Sequence, residues 1–371
     1  FSNISNKEIK DIKKNLKFHR NFKNVENSDV IIMCLPTPLM NNKPDLSHLK
    51  SCWKKIKPFT KKGQMIILES TTYPGCTEEL FYRDLEKKFE IDKEIFLSYS
   101  PERENPGDVN FNFKNTPKVV SGIGENSLYL SKILYSIITK KTIISPSIKI
   151  AEMSKLLENI YRSINIALIN ELKIATKKLD LDLYKVIEIA ATKPFGFQKF
   201  LPGPGTGGHC IPIDPLYFSW ISKKSGFDVR FIKLSSQINE FRTKWIIKKI
   251  LNIAKKLKLS KVLLLGMSYK KNIEDTRESA SIKIFQEIYK KRLTVNYCDP
   301  FNKKLMFKIN NRKLLKRSLQ LNKLTISKHD IIIISADHDN FNYELIKSAK
   351  KIIIDLRGKF KNVHSKNIYQ L

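Results

Sequence analysis

Residues 202–215 read Pro-Gly-Pro-Gly-Thr-Gly-Gly-His-Cys-Ile-Pro-Ile-Asp-Pro, placing four of the chain's 13 glycines (Gly203, Gly205, Gly207 and Gly208) just before Cys210, with Asp214 four residues beyond it. Glycine costs unfolded-state entropy, so this density marks backbone at positive φ or backbone closely approached by a ligand. Backbone N–H groups in such a loop can hold phosphate and lower the pKa of an adjacent thiol, which makes Cys210 a candidate nucleophile. Of the other cysteines, Cys34 and Cys298 lie in strand-like runs and Cys52 in a helical one, and these are assigned to packing. Five cysteines with irregular gaps and no C-x-x-C pair form neither a disulfide framework nor a zinc site, so no metal is expected and the thiols belong in a reducing, cytoplasmic compartment.

One helix face, by itself an ordinary polar one, and two stretches unlike generic surface carry further polar groups. Lys155 and Asn159 are four apart in a helical pattern and share a face, with Arg162 one turn on. Glu69-Ser-Thr-Thr-Tyr-Pro-Gly75 and Ser100-Pro-Glu-Arg-Glu-Asn-Pro-Gly107 each follow an apolar run, where the carboxyl edge of a parallel sheet places its ligands.

The elements that must position these groups are short apolar runs at 30–35, 65–68, 95–97, 262–265, 295–298, 331–335 and 352–355. Lacking alternation, they suit parallel strands buried on both faces. Helical-period segments at 46–56, 77–89, 127–138 and 281–290 separate them, giving an α/β fold of doubly wound parallel sheets. Between the two strand-rich regions lie a long helix from Ile150 to about Lys178, a second at 183–192 and a third at 232–257. The expectation is two α/β domains joined by a helical middle domain.

Of the 371 residues 68 are Lys or Arg and 36 Asp or Glu, leaving a net charge of +32, yet 42% hydrophobic residues exclude intrinsic disorder. The lysines are spread along the whole chain in pairs, without a basic tail or an aromatic nucleic-acid motif, so specific nucleic-acid recognition is not expected. Such a surface attracts small anions, nucleotides among them. The apolar runs fall short of the ~20 residues of a membrane span, and no membrane partner is expected.

The order Glu69–Gly75, Ser100–Gly107, Lys155-x-x-x-Asn159, Gly203–Pro215, Gly266-Met-Ser-Tyr-Lys-Lys and Asp275-Thr-Arg-Glu-Ser279 resembles the UDP-glucose/UDP-N-acetylhexosamine 6-dehydrogenases over essentially the whole chain. The wording Pro36-Thr-Pro-Leu, Lys193-Pro-Phe-Gly-Phe and Gly208-His-Cys-Ile-Pro-Ile-Asp-Pro is most similar to the UDP-N-acetylglucosamine branch. The resemblance implies NAD-dependent oxidation of a sugar C6 alcohol to a carboxylate, through a thiohemiacetal and a thioester on Cys210, in the synthesis of a surface-polysaccharide precursor. It implies that Lys155 and Asn159 face the reacting oxygen and that Asp214 orients or activates water. Thr71 and Glu102 would complete the water network, with Glu102 a base. Substrate would be bound by Arg103, Glu104, Arg162, Gly207, Tyr269, Lys270 and Arg357, together with Lys155 and Asn159, and NAD by Thr37, Thr71 and Arg277. The implied domains are 1–146 for NAD (Rossmann-like), 147–252 for catalysis and dimerisation, and 253–371 for UDP (Rossmann-like). A homodimer across the long helix also follows.

One feature of the family pattern is missing. No strand followed by G-x-G-x-x-G opens the chain, and Phe1–Ile9 resembles the segment that follows the first βαβ unit. The expectation is a first domain without that unit and a chain that binds NAD poorly. The alternative readings are a UDP-glucose or UDP-N-acetylmannosamine dehydrogenase and a catalytically silent UDP-sugar-binding remnant.

Overall fold

The computed structural model describes residues 6–13, 15–105, 111–310 and 312–371. The Phe1–Ser5 part of the opening segment and Pro106-Gly107 of the Ser100–Gly107 motif lie outside the described residues. The chain packs as two compact units, one running up to Asn159 and including Ile213–Val229, the other comprising Ile160–Pro212 and Arg230–Leu371.

In the first unit a five-stranded sheet runs in the order β1 (Val30–Met33), β2 (Met65–Leu68), β3 (Phe96–Tyr99), β4 (Lys118–Gly122), β5 (Thr142–Ile144). Strand β2 is Met-Ile-Ile-Leu with all four residues buried, as befits a strand covered on both faces. Helices α1 (Ser47–Ile56) and α2 (Glu125–Ile138) lie between strands, and α3 (Ile148–Lys178) begins in this unit. Helix α4 (Asp214–Lys224) returns to it. The all-parallel expectation fails at one seam: β4 runs antiparallel to β3, with Ser98 opposite Gly122 and Tyr99 opposite Ser121. Among the described residues between these strands there is no helix, and a return without a helical crossover is antiparallel.

The second unit holds the rest of α3, a short helix at Leu183–Ala190, and α5 (Arg230–Lys256). Its parallel sheet is built from β6 (Lys261–Leu265), β7 (Thr294–Cys298), β8 (Ile331–Ile334), β9 (Ile352–Asp355) and β10 (Ile368–Gln370) in the order β10-β9-β8-β6-β7, with α6 (Ala280–Lys290) between β6 and β7. Successive side chains feed two cores. Val262, Leu264, Ile331, Ile333 and Ile354 pack on one, and Leu263, Leu265, Ile332, Ile334 and Ile353 on the other. Each strand therefore carries an uninterrupted apolar run, the arrangement of a doubly wound sheet. No helix among the described residues is long and apolar enough to cross a membrane.

Candidate active site

In the first unit the site is organised by one face of α3. Glu152, Lys155 and Asn159 follow at spacings of three and four and so stack along the helix, each buried and each holding a different segment. The Lys155 ammonium, 7% exposed, donates to the Glu102 carbonyl in the loop after β3. The Asn159 amide, fully buried, donates to the carboxylate of Asp214 at the start of α4. Glu152 accepts from the Gly75 N–H, from the Thr77 N–H at 2.9 Å and from the Thr77 hydroxyl at 2.7 Å, and so grips the loop after β2. Burial pushes the Glu152 carboxyl up to about 7, against the pull of these donors. Glu158, one residue before Asn159, pairs with Arg103, whose Nη1 also donates to the Pro117 carbonyl at 2.9 Å.

The sequence pointed to Lys155, Asn159 and Asp214, and the fold brings them together around one helix face with the Glu102 loop. It did not point to Glu152 or Glu158. Their only signal is their spacing from Lys155 and Asn159 on an otherwise ordinary helix. Glu102 accepts the N–H of the exposed Glu104 at 2.5 Å, and partial burial, then the neighbouring Glu102 charge, raise the Glu104 carboxyl. Thr71 is half-buried, and its carbonyl takes the hydroxyl of buried Thr37 at 2.9 Å.

The second unit holds the glycine loop. Its front end is pinned from two helices: Asn170 accepts the Gly203 N–H at 2.9 Å, Arg242 Nε donates to the Gly203 carbonyl at 3.1 Å and the Thr243 hydroxyl to the Pro204 carbonyl at 2.8 Å. Gly208, at φ +83°, donates its N–H to the Arg277 carbonyl, and a Cβ there would lie 2.9 Å from the Tyr269 ring. A Cβ on Gly207 would meet Tyr269 Cβ at 2.5 Å, so this glycine pair is required by close packing. The N–H groups of Gly203 and Gly208 are spent on the protein and are not phosphate donors.

Cys210 is half-buried, beside Tyr269 and Arg277 in electrostatic terms. The Arg277 guanidinium is raised first by its hydrogen bonds to Asp275, then by the charges of Asp275 and Tyr269, and least by Cys210. Arg277 forks onto Asp275 at 3.0 and 2.7 Å and is otherwise exposed. Arg357 joins strand-end loops, donating to the Ser335 carbonyl at 2.7 Å and the Tyr269 carbonyl at 2.9 Å, and its guanidinium would sit 3.1 Å from a Cβ on Gly203. Burial lowers the Arg357 guanidinium and raises the Tyr269 phenol. Lys270 follows Tyr269, half-buried, and Arg162 is exposed on α3.

The other thiols make a contrast. Partial burial and the facing Glu69 carboxylate push Cys34 up to about 12, and burial also carries Cys298 to about 12. Cys76 and Cys52 are raised by burial as well. Cys34 lies after β1 and is exposed, its thiol donating to Glu69 at 3.4 Å, so it is not the packed strand residue expected.

Adjacent parallel strands β1 and β2 end in the loops that carry Thr37 and Thr71, a strand edge that fits part of a dinucleotide. The one Gly-x-Gly that opens a helix among the described residues, Gly122-Ile-Gly124 before α2, does not fit a pyrophosphate. The Asp92 carboxylate already takes the N–H groups of Asn126 at 3.1 Å and Ser127 at 2.6 Å, and a Cβ on Gly122 would strike the Leu128 backbone at 2.2 Å. In the second sheet Asp299, beyond β7, is consumed by the N–H groups of Met267, Phe301 and Asn302, which leaves no acid for an adenosine ribose.

Three domain families match the chain: the UDP-glucose/GDP-mannose dehydrogenase family NAD binding domain over residues 5–139, its central domain over 149–241, and its UDP binding domain over 263–362. The chain is 32% identical to the UDP-N-acetyl-D-mannosamine dehydrogenase of Methanocaldococcus jannaschii over 90% of this chain and 76% of that protein. It is 35% identical to the UDP-N-acetyl-D-glucosamine 6-dehydrogenase of Pseudomonas aeruginosa over 77% of this chain and 69% of that protein. The solved UDP-D-ManNAc dehydrogenase of Pyrococcus horikoshii superposes with a TM-score of 0.82 at 27% identity, covering 95% of this chain and 83% of that one. With a strand edge that fits part of a dinucleotide, a glycine-framed thiol and matches along almost its whole length, the chain belongs to the UDP-glucose/GDP-mannose dehydrogenase family of NAD-dependent nucleotide-sugar dehydrogenases.

Proposed function

We propose that the chain oxidises the C6 hydroxyl of a UDP-N-acetylhexosamine to the carboxylate, with Cys210 as nucleophile. The observation that carries this reading is the helix face of α3, where a buried ammonium and a buried carboxamide hydrogen-bonded to Asp214 stand four residues apart. Bound NAD would supply the hydride acceptor for both oxidations at C6, and in the first the C6 hydroxyl gives its proton to the water held by Asp214 and Thr71. After the first, the Cys210 sulfur adds to the aldehyde carbon and the carbonyl electron pair moves to oxygen, giving a thiohemiacetal. Lys155 and Asn159 stabilise the negative charge that gathers on that oxygen. Loss of the second hydride restores the carbonyl as a thioester. Water held by Asp214, Thr71 and Glu102 attacks, its proton passes to Glu102 and the thiolate leaves. Arg162, Tyr269, Lys270 and Arg357 receive the UDP, with Gly207 packed against Tyr269 beside them, while Arg103 and Glu104 border the sugar. Thr37, Thr71 and Arg277 contact the cofactor, Thr37 through its hold on Thr71. The division of labour is 1–146 for NAD, 147–252 for catalysis and 253–371 for UDP.

For the sugar we propose UDP-N-acetylglucosamine, on the motif wording around Lys193 and Gly208 and on the 35% identical relative. UDP-N-acetylmannosamine is the second reading, favoured by a relative that aligns with 90% of the chain. Absorbance of NADH with UDP-N-acetylglucosamine, UDP-N-acetylmannosamine and UDP-glucose in turn decides between them. The highest kcat/KM is expected for the first, and no NADH from any of the three overturns the reading.

A homodimer across α3 is part of the same proposal. Leu157, Tyr161, Leu168 and Leu172 are all exposed and fall on one narrow stripe of the helix, the kind of apolar surface that marks an association face. Leu168→Glu should turn a dimer into a monomer in sedimentation, and an unchanged mass would remove α3 from the interface.

A further inference from the structure

We propose that Glu152 is a positioning residue: it holds the Thr71–Thr77 loop against the face of α3 that carries Lys155 and Asn159, and so fixes where Thr71 stands relative to that face. The proposal rests on the reaction assigned above, and it deepens that reading by adding a residue that touches neither substrate nor cofactor. Glu152 is fully buried, three residues before Lys155. Its carboxylate collects the Gly75 N–H, the Thr77 N–H and the hydroxyls of Thr77 and Thr72, the last at 3.4 Å. An acidic side chain removed from water in this way is retained at a cost unless its donors return it, and four donors from a single loop do so. An apolar side chain at this position would leave two loop amides without an acceptor, at a cost of about 1–3 kcal/mol each. A carboxylate bridging two backbone amides and two hydroxyls instead dictates one loop height, and a misplacement of about 1 Å near a reacting centre can cost about 10²-fold in rate.

The groups facing Glu152 are Glu78 and Cys76 from the loop side and Tyr99 from β3, all of which disfavour its charge or are disfavoured by it. Protonation near pH 7 therefore takes away one acceptor oxygen and slackens the grip on the loop. Glu152→Gln makes that neutral state permanent, because its NH2 opposes either the Gly75 or the Thr77 donor.

The test has two arms on the full chain. In hydrogen exchange, Glu152→Gln should speed the Gly75 and Thr77 amides about tenfold or more and leave those of β2 unchanged. Unaltered exchange at these two amides overturns the proposal whether or not the chain turns over. In kinetics, kcat should fall by about tenfold to about 10²-fold while KM for the UDP-sugar holds, and the limb of the kcat–pH profile near 7 should vanish. Exchange that responds while kcat stays at the wild-type value would also overturn it, since the loop would then move without consequence. Thr77→Val weakens the same grip from the loop side and should change both readouts in the same direction by less. A wild type that makes no NADH defeats the assigned reaction, whereas the exchange arm still judges Glu152.

Discussion

Cys210→Ser will stop acid formation while sparing the first oxidation. A serine hydroxyl in the same loop is far less nucleophilic than a thiolate at neutral pH, so the aldehyde is no longer captured and the second hydride has no thiohemiacetal to leave from. The expected loss in carboxylate production is about 10³-fold or more, and NADH formed per sugar drops from two towards one. Counting NADH against product mass by chromatography reads both at once. Two NADH per sugar at the wild-type rate from Cys210→Ser would remove the nucleophile. The thiol environments add an independent measurement. Burial holds Cys34 and Cys298 near 12 and raises Cys76 and Cys52, so all four stay protonated at neutral pH. Cys210 is half-buried with the Arg277 guanidinium beside it. Limited alkylation at neutral pH should therefore label Cys210 first, and UDP-sugar should protect it.

How much of this was legible in the chain itself depends on whether the determining contact was local. The Ile331–Ile334 run announces a buried parallel strand because both faces of the sheet need apolar cover, and the pattern carries that in four letters. Strand β4 was missed because Lys118 and Gly122 at its ends, and Ser121 inside it, look like loop. Its pairing comes from β3, and Lys118 is buried by an ion pair with Glu69 at 3.1 Å that no local pattern reveals. Helix α4 went unread because Pro212 and Pro215 suggest a continuing loop, although a proline in the first turn is well placed to start a helix. The site shows the same split. Cys210 and Asp214 were marked by the glycine loop, and Lys155 and Asn159 by the motif order that resembles the family, since their spacing alone is that of an ordinary polar helix face; Glu152 carried no signal of its own. Only the fold, by laying residues 72–77 over it, makes it a buried acceptor. Gly122-Ile-Gly124 goes the other way: it has a phosphate-like signature at a helix start, and only the fold shows that Asp92 fills it.

Lys155→Met should cost about 10²–10³-fold in kcat and little in KM for the UDP-sugar, because charge on the C6 oxygen develops only as the reaction proceeds. Methionine nearly matches the stem of the lysine and removes only the ammonium. Lys155 is 7% exposed, so the substitution deletes a buried charge, which protein interiors tolerate and sometimes prefer. Its one structural debt is the Glu102 carbonyl, which loses a donor, a loss worth about 1–3 kcal/mol. A fold still intact by circular dichroism, with kcat reduced and KM held, separates electrostatic catalysis from scaffolding. Lys155→Arg sharpens the distinction: it keeps the charge but spreads it over a planar fork in place of a point charge at a buried position, so it should recover little activity. Full activity in Lys155→Met would show that the ammonium only holds the Glu102 loop in place, and the oxygen facing α3 would then need another source of positive charge.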